Sequence, residues 1–198
     1  HNSTNGRVIN TTMENYVNSG LYIFESYNNT LENSILDDDS EGIRMNNASH
    51  NYIANNTINV VDRGPSGIIA LSGSNYNMID NNTIFNCGYG VYLRESTRNL
   101  FLDNQINNSN EGIRIYNSND NHLQNTSIWD INGDYGIRIT ESENVTFDLG
   151  YLRNCSDDGF KLIDSKNCEI KNMHIYNSTA TGCDGVYING GSGHLIEN

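Results

Sequence analysis

Apolar residues alternate with polar ones in short bursts, and the bursts recur around the chain at a nearly fixed interval. Gly20, Gly42, Gly67, Gly90, Gly112, Gly136, Gly159 and Gly185 open near-copies of one phrase: GLYI, GIRM, GIIA, GVYL, GIRI, GIRI, GFKL and GVYI. Positions one and three after each glycine are apolar, from Leu21 and Ile23 to Val186 and Ile188. Alternation with period two predicts a half-buried strand. A second short strand should point Leu31, Ile53, Ile79, Phe101, Leu123, Phe147, Ile170 and Ile196 inward. A third should contribute Ile35, Ile58, Ile84, Ile106, Ile128, Leu152 and Ile175. Clusters of Asn, Ser, Asp and Thr separate the bursts and read as bends.

A unit of this size cannot bury its apolar face alone and must stack on its neighbours. The spacing therefore predicts an all-β solenoid: a triangular parallel β-helix of about eight coils, 22–26 residues each, with three short strands and three bends per coil. The whole of 1–198 reads as one such domain. Partial coils at 1–19 and 185–198, with no cap, predict a segment of a longer solenoid or a subunit that stacks end to end on another copy. The glycines are expected where the backbone turns tightly or takes a positive φ.

Asparagine is heavily used, with 36 residues in a chain of 198. Asn33, Asn55, Asn81, Asn125, Asn172 and Asn198 fall at one bend, where Asp103 and Leu149 are exceptions; Asn29, Asn51, Asn77, Asn99 and Asn121 fall at another. Stacked amides can bond along the axis, so most of this Asn is expected to be structural. The formal net charge of −13 argues against nucleic acid as a partner. No apolar run is long enough for a membrane helix, and no signal peptide opens at His1. The sequons at Asn2, Asn10, Asn28, Asn47, Asn55, Asn81, Asn107, Asn125, Asn144, Asn154 and Asn177 are candidate glycosylation sites, although so much Asn, Ser and Thr also produces them by chance. Cys155 and Cys183 fall on adjacent coils, either as a disulfide or as small buried thiols.

The phrase N-x-I-x-N-N-T-I followed by G-I, as in Asn51–Ile58 and Asn77–Ile84, resembles the right-handed parallel β-helix repeat of the pectate-lyase-like superfamily. It is most similar to the NosD-like and carbohydrate-binding, sugar-hydrolase branch of bacterial and archaeal exported proteins. The resemblance covers the whole chain. It implies a saccharide groove along the face beside the glycines.

The outward position two residues after each glycine is occupied by Tyr22, Arg44, Ile69, Tyr92, Arg114, Arg138, Lys161 and Tyr187. Aromatic rings stack on sugar faces and Arg forks onto carboxylates, so Tyr22, Arg44, Tyr92, Arg114, Arg138 and Tyr187 are candidate contacts for an acidic glycan. An ordinary solvated face with pairs such as Glu41–Arg44 and Glu111–Arg114 is the alternative. Asp157, Asp158, Asp184 and Lys161 are the candidate catalytic set, because SDDGF resembles the paired-aspartate step of β-helix glycosidases, and inverting hydrolysis needs two separated carboxyls. The other polygalacturonase, pectate lyase and alginate epimerase signatures are absent. Asp37, Asp38 and Asp39 could ligate calcium or form a solvated acidic loop; no other cofactor is required, and the five histidines show no ligand spacing.

Together these features predict an extracellular or cell-surface structural module, part of a layer, filament or stalk, with a glycan-contacting face. The alternative is a polysaccharide lyase or glycoside hydrolase.

Overall fold

Stacking is dictated by the strands themselves. None is long enough to be stable alone, and each leaves backbone donors and acceptors for the coil above and below. In the computed structural model, which describes residues 3–37, 40–60, 66–178 and 181–198, the chain winds as a right-handed parallel β-helix of about eight turns. Every strand pair among the described residues is parallel, each joining one coil to the next.

Among the described residues, two sheets wrap the core. The first has eight strands, among them Ser19–Phe24, Glu41–Asn46, Tyr89–Arg94, Glu111–Tyr116 and Phe160–Ile163. It carries the glycine phrases and is termed the glycine sheet. The second, of 14 strands, holds the other two strands of each coil, which merge in later turns into long bent strands such as His122–Ile131 and Thr146–Cys155. Ile113, Ile115, Leu123 and Ile128 of a single coil are fully buried and lie in register with their equivalents above and below.

The third column departs from expectation in one coil. Ile35 pairs with Thr57 and is 46 % exposed, while Leu36 pairs with Ile58 and is fully buried. Because side chains alternate across a strand, a one-residue offset exchanges the inward and outward sets. Counting from the bend, Asn33-Ser34-Ile35-Leu36 matches Asn55-Asn56-Thr57-Ile58, so Leu36 is the core residue. At the last coil, Ile188 and Ile196 keep their registers yet remain about half exposed, at 45 % and 50 %. Both of its strands pair with the preceding coil, at Phe160–Ile163 and Glu169–Tyr176.

The register glycines also differ from expectation. None has a positive φ. The left-handed conformation falls instead on Asn, Asp and other residues at four positions per turn, for example Asn117, Asp120, Asn125 and Asp130. The fully described turns that open at Gly90, Gly112 and Gly136 thus each have four non-glycine left-handed corners, not three simple bends. Among residues that carry a Cβ, those with short amide and carboxylate side chains tolerate this region best. Leu149 stands there too, with φ 63°, in the column otherwise held by Asn and Asp.

The glycines are required by space. A Cβ on Gly90 would strike Ile106 Cγ2 of its own core and lie 2.7 Å from the carbonyl oxygen of Gly112. Gly42, Gly67 and Gly112 meet the same obstacles from Ile58, Ile84 and Ile128. Missing Cβ atoms let the third strand press directly against the first.

Inside the bends, polar ladders satisfy the backbone. Asn77 Oδ1 accepts both the backbone N–H (2.9 Å) and the amide Nδ2 (2.9 Å) of Asn51. Asn99 does the same for Asn77, and Asn121 for Asn99. A second buried ladder runs through Asn56, Asn82 and Asn104, and a hydroxyl ladder through Ser96, Ser118, Ser142 and Ser165.

Two substitution tests follow from register and space. Leu36→Ala should lose about 2–5 kcal/mol in urea unfolding, and Ile35→Ala about 0.5 kcal/mol or less; equal losses would contradict the register. Gly90→Ala should lose about 1–3 kcal/mol through overpacking, despite its better strand propensity.

Candidate functional site

The glycine sheet aligns its outward residues because each strand is fixed in register by its inward neighbours. Tyr22 pairs with Arg44, Arg44 with Ile69, Ile69 with Tyr92, and Tyr92 with Arg114. Arg138, Lys161 and Tyr187 continue the column. All six expected contact residues therefore lie on one face with Lys161. Ile69 is buried and divides the column into a short stretch, Tyr22 and Arg44, and a long one from Tyr92 to Tyr187. A hollow of about 500 Å³ at the short stretch is lined by Val17, Ser19, Tyr22, Ser40, Glu41 and Arg44, together with Asn18.

Cations lie over rings along the column. The Arg114 guanidinium is 5.2 Å from the Tyr89 ring centre and 5.9 Å from that of Tyr92. Arg138 is 5.6 Å from Tyr135, and Arg44 5.5 Å from Tyr22. Lys161 Nζ lies 4.2 Å from the centre of Tyr135 and 4.9 Å from that of Tyr187. Such contacts hold flat rings and charged heads in a fixed, half-buried array.

The flanking position before each glycine supplies serines, acids and tyrosines. Ser19, Glu41, Ser66, Tyr89 and Glu111 are in register, and the N–H groups of Gly112, Gly136 and Gly159 donate to the carbonyls of Tyr135, Asp158 and Asp184. The pair expected at Glu41 and Arg44 forms, at 3.5 Å. The pair expected at Glu111 and Arg114 does not. Arg114 donates instead to the Tyr89 hydroxyl at 2.8 Å. Glu111 is 1 % exposed, and neither carboxyl oxygen accepts a hydrogen bond. Burial pushes this carboxyl up to about 7, against the downward pull of Arg114 and Arg138; Asp134 adds to the rise. The sequence marked Glu111 only as a partner for Arg114. Its position between Tyr89 and Tyr135 in the column was the available signal.

The candidate catalytic residues come together at the later rungs. Asp158 is buried; its Oδ1 accepts the N–H of Asp184 at 2.9 Å, and its Oδ2 lies 3.5 Å from Lys161 Nζ. Lys161 also donates to the Tyr135 hydroxyl at 3.0 Å, and this bond, reinforced by Asp158, raises its pKa. Asp157 Oδ1 accepts the N–H of Asp158 at 2.9 Å and lies 3.7 Å from Cys183 Sγ. With both oxygens of Asp158 engaged, the cluster anchors the turn between coils. Cys155 and Cys183 are not joined by a disulfide; Cys155 is buried and pushed up to about 12.

Asp37 Oδ1 accepts a hydrogen bond from Asn59 at 2.6 Å. Asp38 and Asp39, the rest of the expected calcium set, lie outside the described residues, as does Asn2. Of the remaining sequons, Asn10, Asn28, Asn47, Asn55, Asn81, Asn125, Asn144 and Asn177 are exposed corner residues with positive φ. Asn154 is a half-buried corner, and Asn107 is half-buried within a strand.

Comparison with known proteins bears on this arrangement. The model of the family described as periplasmic copper-binding protein (NosD) matches residues 1–128 and 101–198. No protein of curated function matches by sequence. Among solved structures, the periplasmic alginate epimerase AlgG superposes with a TM-score of 0.80 at 17 % identity, over 100 % of this chain and 51 % of that one. The A-module of Azotobacter vinelandii mannuronan C-5 epimerase AlgE4 gives 0.73 at 13 % identity, over 98 % and 55 %. The catalytic unit of a GH87 α-1,3-glucanase from Streptomyces thermodiastaticus gives 0.66 at 14 %, over 96 % and 48 %. The chain thus spans about half the length of these structures, and the likeness is one of fold.

Copper, named in the family description, does not fit the described residues. No three His, Cys, Asp or Glu among them converge on a metal position. His50 stacks on Tyr76, and His194 Nδ1 accepts the N–H of Cys168. The buried Cys87 and Cys155 thiols, both pushed up to about 12, stay protonated and are poor ligands.

Glu111 makes stability depend on pH. Its ordinary value is 4.5, whereas in the fold it keeps its proton to about 7. The folded state therefore loses stability as pH rises from the first value to the second, and carries the full penalty above it, about 3 kcal/mol. Glu111→Gln should be more stable than the parent by about that amount at pH 8 and nearly equal to it at pH 4. Urea unfolding at the two pH values measures the difference.

Proposed function

This chain belongs to the NosD family, and from that premise we propose that it is an exported, non-catalytic β-helix module that binds an acidic glycan along its glycine sheet. The observation that carries this reading is the unbroken run from Tyr89 and Tyr92 through Arg114, Arg138 and Lys161 to Tyr187, with cations held over rings. Rings spaced along a rod suit the faces of successive sugars. Guanidinium groups between them suit uronate carboxylates, which they can engage in pairs of hydrogen bonds. The chain as a whole is strongly acidic, so a basic stripe on it is a local exception. The solved neighbours named for alginate, mannuronan and α-1,3-glucan are in keeping with a saccharide ligand. Periplasmic placement of the family and of AlgG supports export.

Binding is favoured over cleavage because Asp158, the best-placed carboxylate of the paired-acid motif, is tied to the Asp184 N–H and to Lys161. The repeating ladders would suit a rod within a surface layer, filament or stalk, presenting this stripe outward.

Calorimetric titration at pH 6 and low salt should show mannuronate and galacturonate hexamers binding at least about tenfold tighter than cellohexaose. Tyr92→Ala and Arg114→Ala should each weaken the uronate by about tenfold. Equal affinity for the neutral sugar, or none for any uronate, would overturn the reading. New reducing ends or unsaturated products from the same mixtures would replace the binding module with an enzyme.

A further inference from the structure

We propose that Glu111 is a proton-linked gate on the uronate-binding stripe: neutral, it leaves Arg114 and Arg138 to the sugar carboxylate; ionised, it draws them to itself and weakens binding. This rests on the acidic-glycan reading above.

The same four residues, Glu-Gly-Ile-Arg, occur at 41–44 and at 111–114, with opposite outcomes. In the first copy Glu41 accepts from the Ser19 hydroxyl at 3.1 Å and pairs with Arg44. In the second, Tyr89 stands where the first copy has Ser19. Its hydroxyl takes the Arg114 guanidinium, and its ring lies beneath the same group. Glu111 is left 1 % exposed with both oxygens unpartnered, and the buried Nε of Arg138, on the next rung, also has no partner. Leaving such buried groups without hydrogen bonds is costly. It is tolerated where a group is neutral, or where a ligand completes it.

The charges that face Glu111 come from every element around it. Arg114 is on its own strand, Arg138 is on the following rung, and Asp134 is on the segment leading to that rung. Tyr89 and Tyr135 flank it in the column. With Glu111 neutral, two cations face one anion, and the subsite is net positive. With Glu111 ionised the sum is zero, and the attraction for a sugar carboxylate falls. Burial already moves this ionisation to about neutrality, where small pH changes act on it. Conversely, a carboxylate bound beside the two arginines disfavours ionisation of Glu111, so binding takes up a proton. The sugar carboxylates are charged throughout this range and do not contribute.

Calorimetry of the intact chain with a mannuronate hexamer, from pH 6 to 8.5 and in buffers of different ionisation enthalpy, tests the gate. Affinity should fall roughly tenfold across the range, with net proton uptake near pH 7, and Glu111→Gln should bind tightly with a flat profile. A carboxyl ¹³C resonance present in the parent and missing from the variant should titrate near neutrality and move upward with the hexamer. These parent-protein readouts stand even if the variant folds poorly. Equal affinity from pH 6 to 8.5, no proton uptake, or an unchanged profile in a folded Glu111→Gln would overturn the gate while leaving glycan binding intact. Failure to bind the hexamer at any pH would overturn both.

Discussion

Buried bends must satisfy their own backbone, and the amide ladders inside this solenoid do so one coil at a time. Each Oδ1 of the Asn51, Asn77, Asn99 and Asn121 series accepts a backbone N–H and a side-chain amide from the preceding turn. An unpaired polar group at such depth would cost on the order of 1–3 kcal/mol. The amide can meet its partner only if the next coil brings the same residue to the same place. That requirement holds the register of every strand between the bends. Where the series ends, Val145 and Cys168 follow at the same bend and the inward slot becomes apolar.

Register then determines the surface. Because the glycines lack Cβ atoms, isoleucines of the third strand lie close beneath the glycine sheet. The residue two places on is left pointing outward on every coil, one strand spacing from its neighbour. A long column of tyrosines and cations results from the inward packing and needs no separate scaffold. The contrast between Glu41 and Glu111 shows how fine the local control is. One flanking residue, a serine hydroxyl or a tyrosine ring, decides whether an identical Glu-Gly-Ile-Arg phrase forms an ion pair.

Much of the fold was legible because side chains repeat with both a period of two and a period of one coil. The columns at Ile113, Leu123 and Ile128 could be counted directly. Ile35 misled because two apolar residues stand side by side, and apolarity alone does not say which faces inward; the distance from the Asn33 corner does. The glycines misled for a different reason. Glycine relieves both steric crowding and backbone strain, and only the position of Ile106 against Gly90 shows that crowding applies. In the candidate site, the column from Tyr22 to Tyr187 was legible for the same reason as the core. The state of Glu111 was not, since it depends on which of two nearby groups captures Arg114.

The sequence by itself determined the parallel solenoid, its coil length and the identity of the stripe along the glycine sheet. These follow from periodic patterning, and the spacing of apolar and polar residues carries that information without coordinates. Only the tertiary structure decided that most left-handed corners belong to Asn and Asp, that Asp158 is bound up in anchoring the neighbouring coil, and that Glu111 is buried without a partner. Those outcomes depend on contacts between side chains some 20 residues or more apart, where a few tenths of an ångström and one competing hydroxyl select the partner.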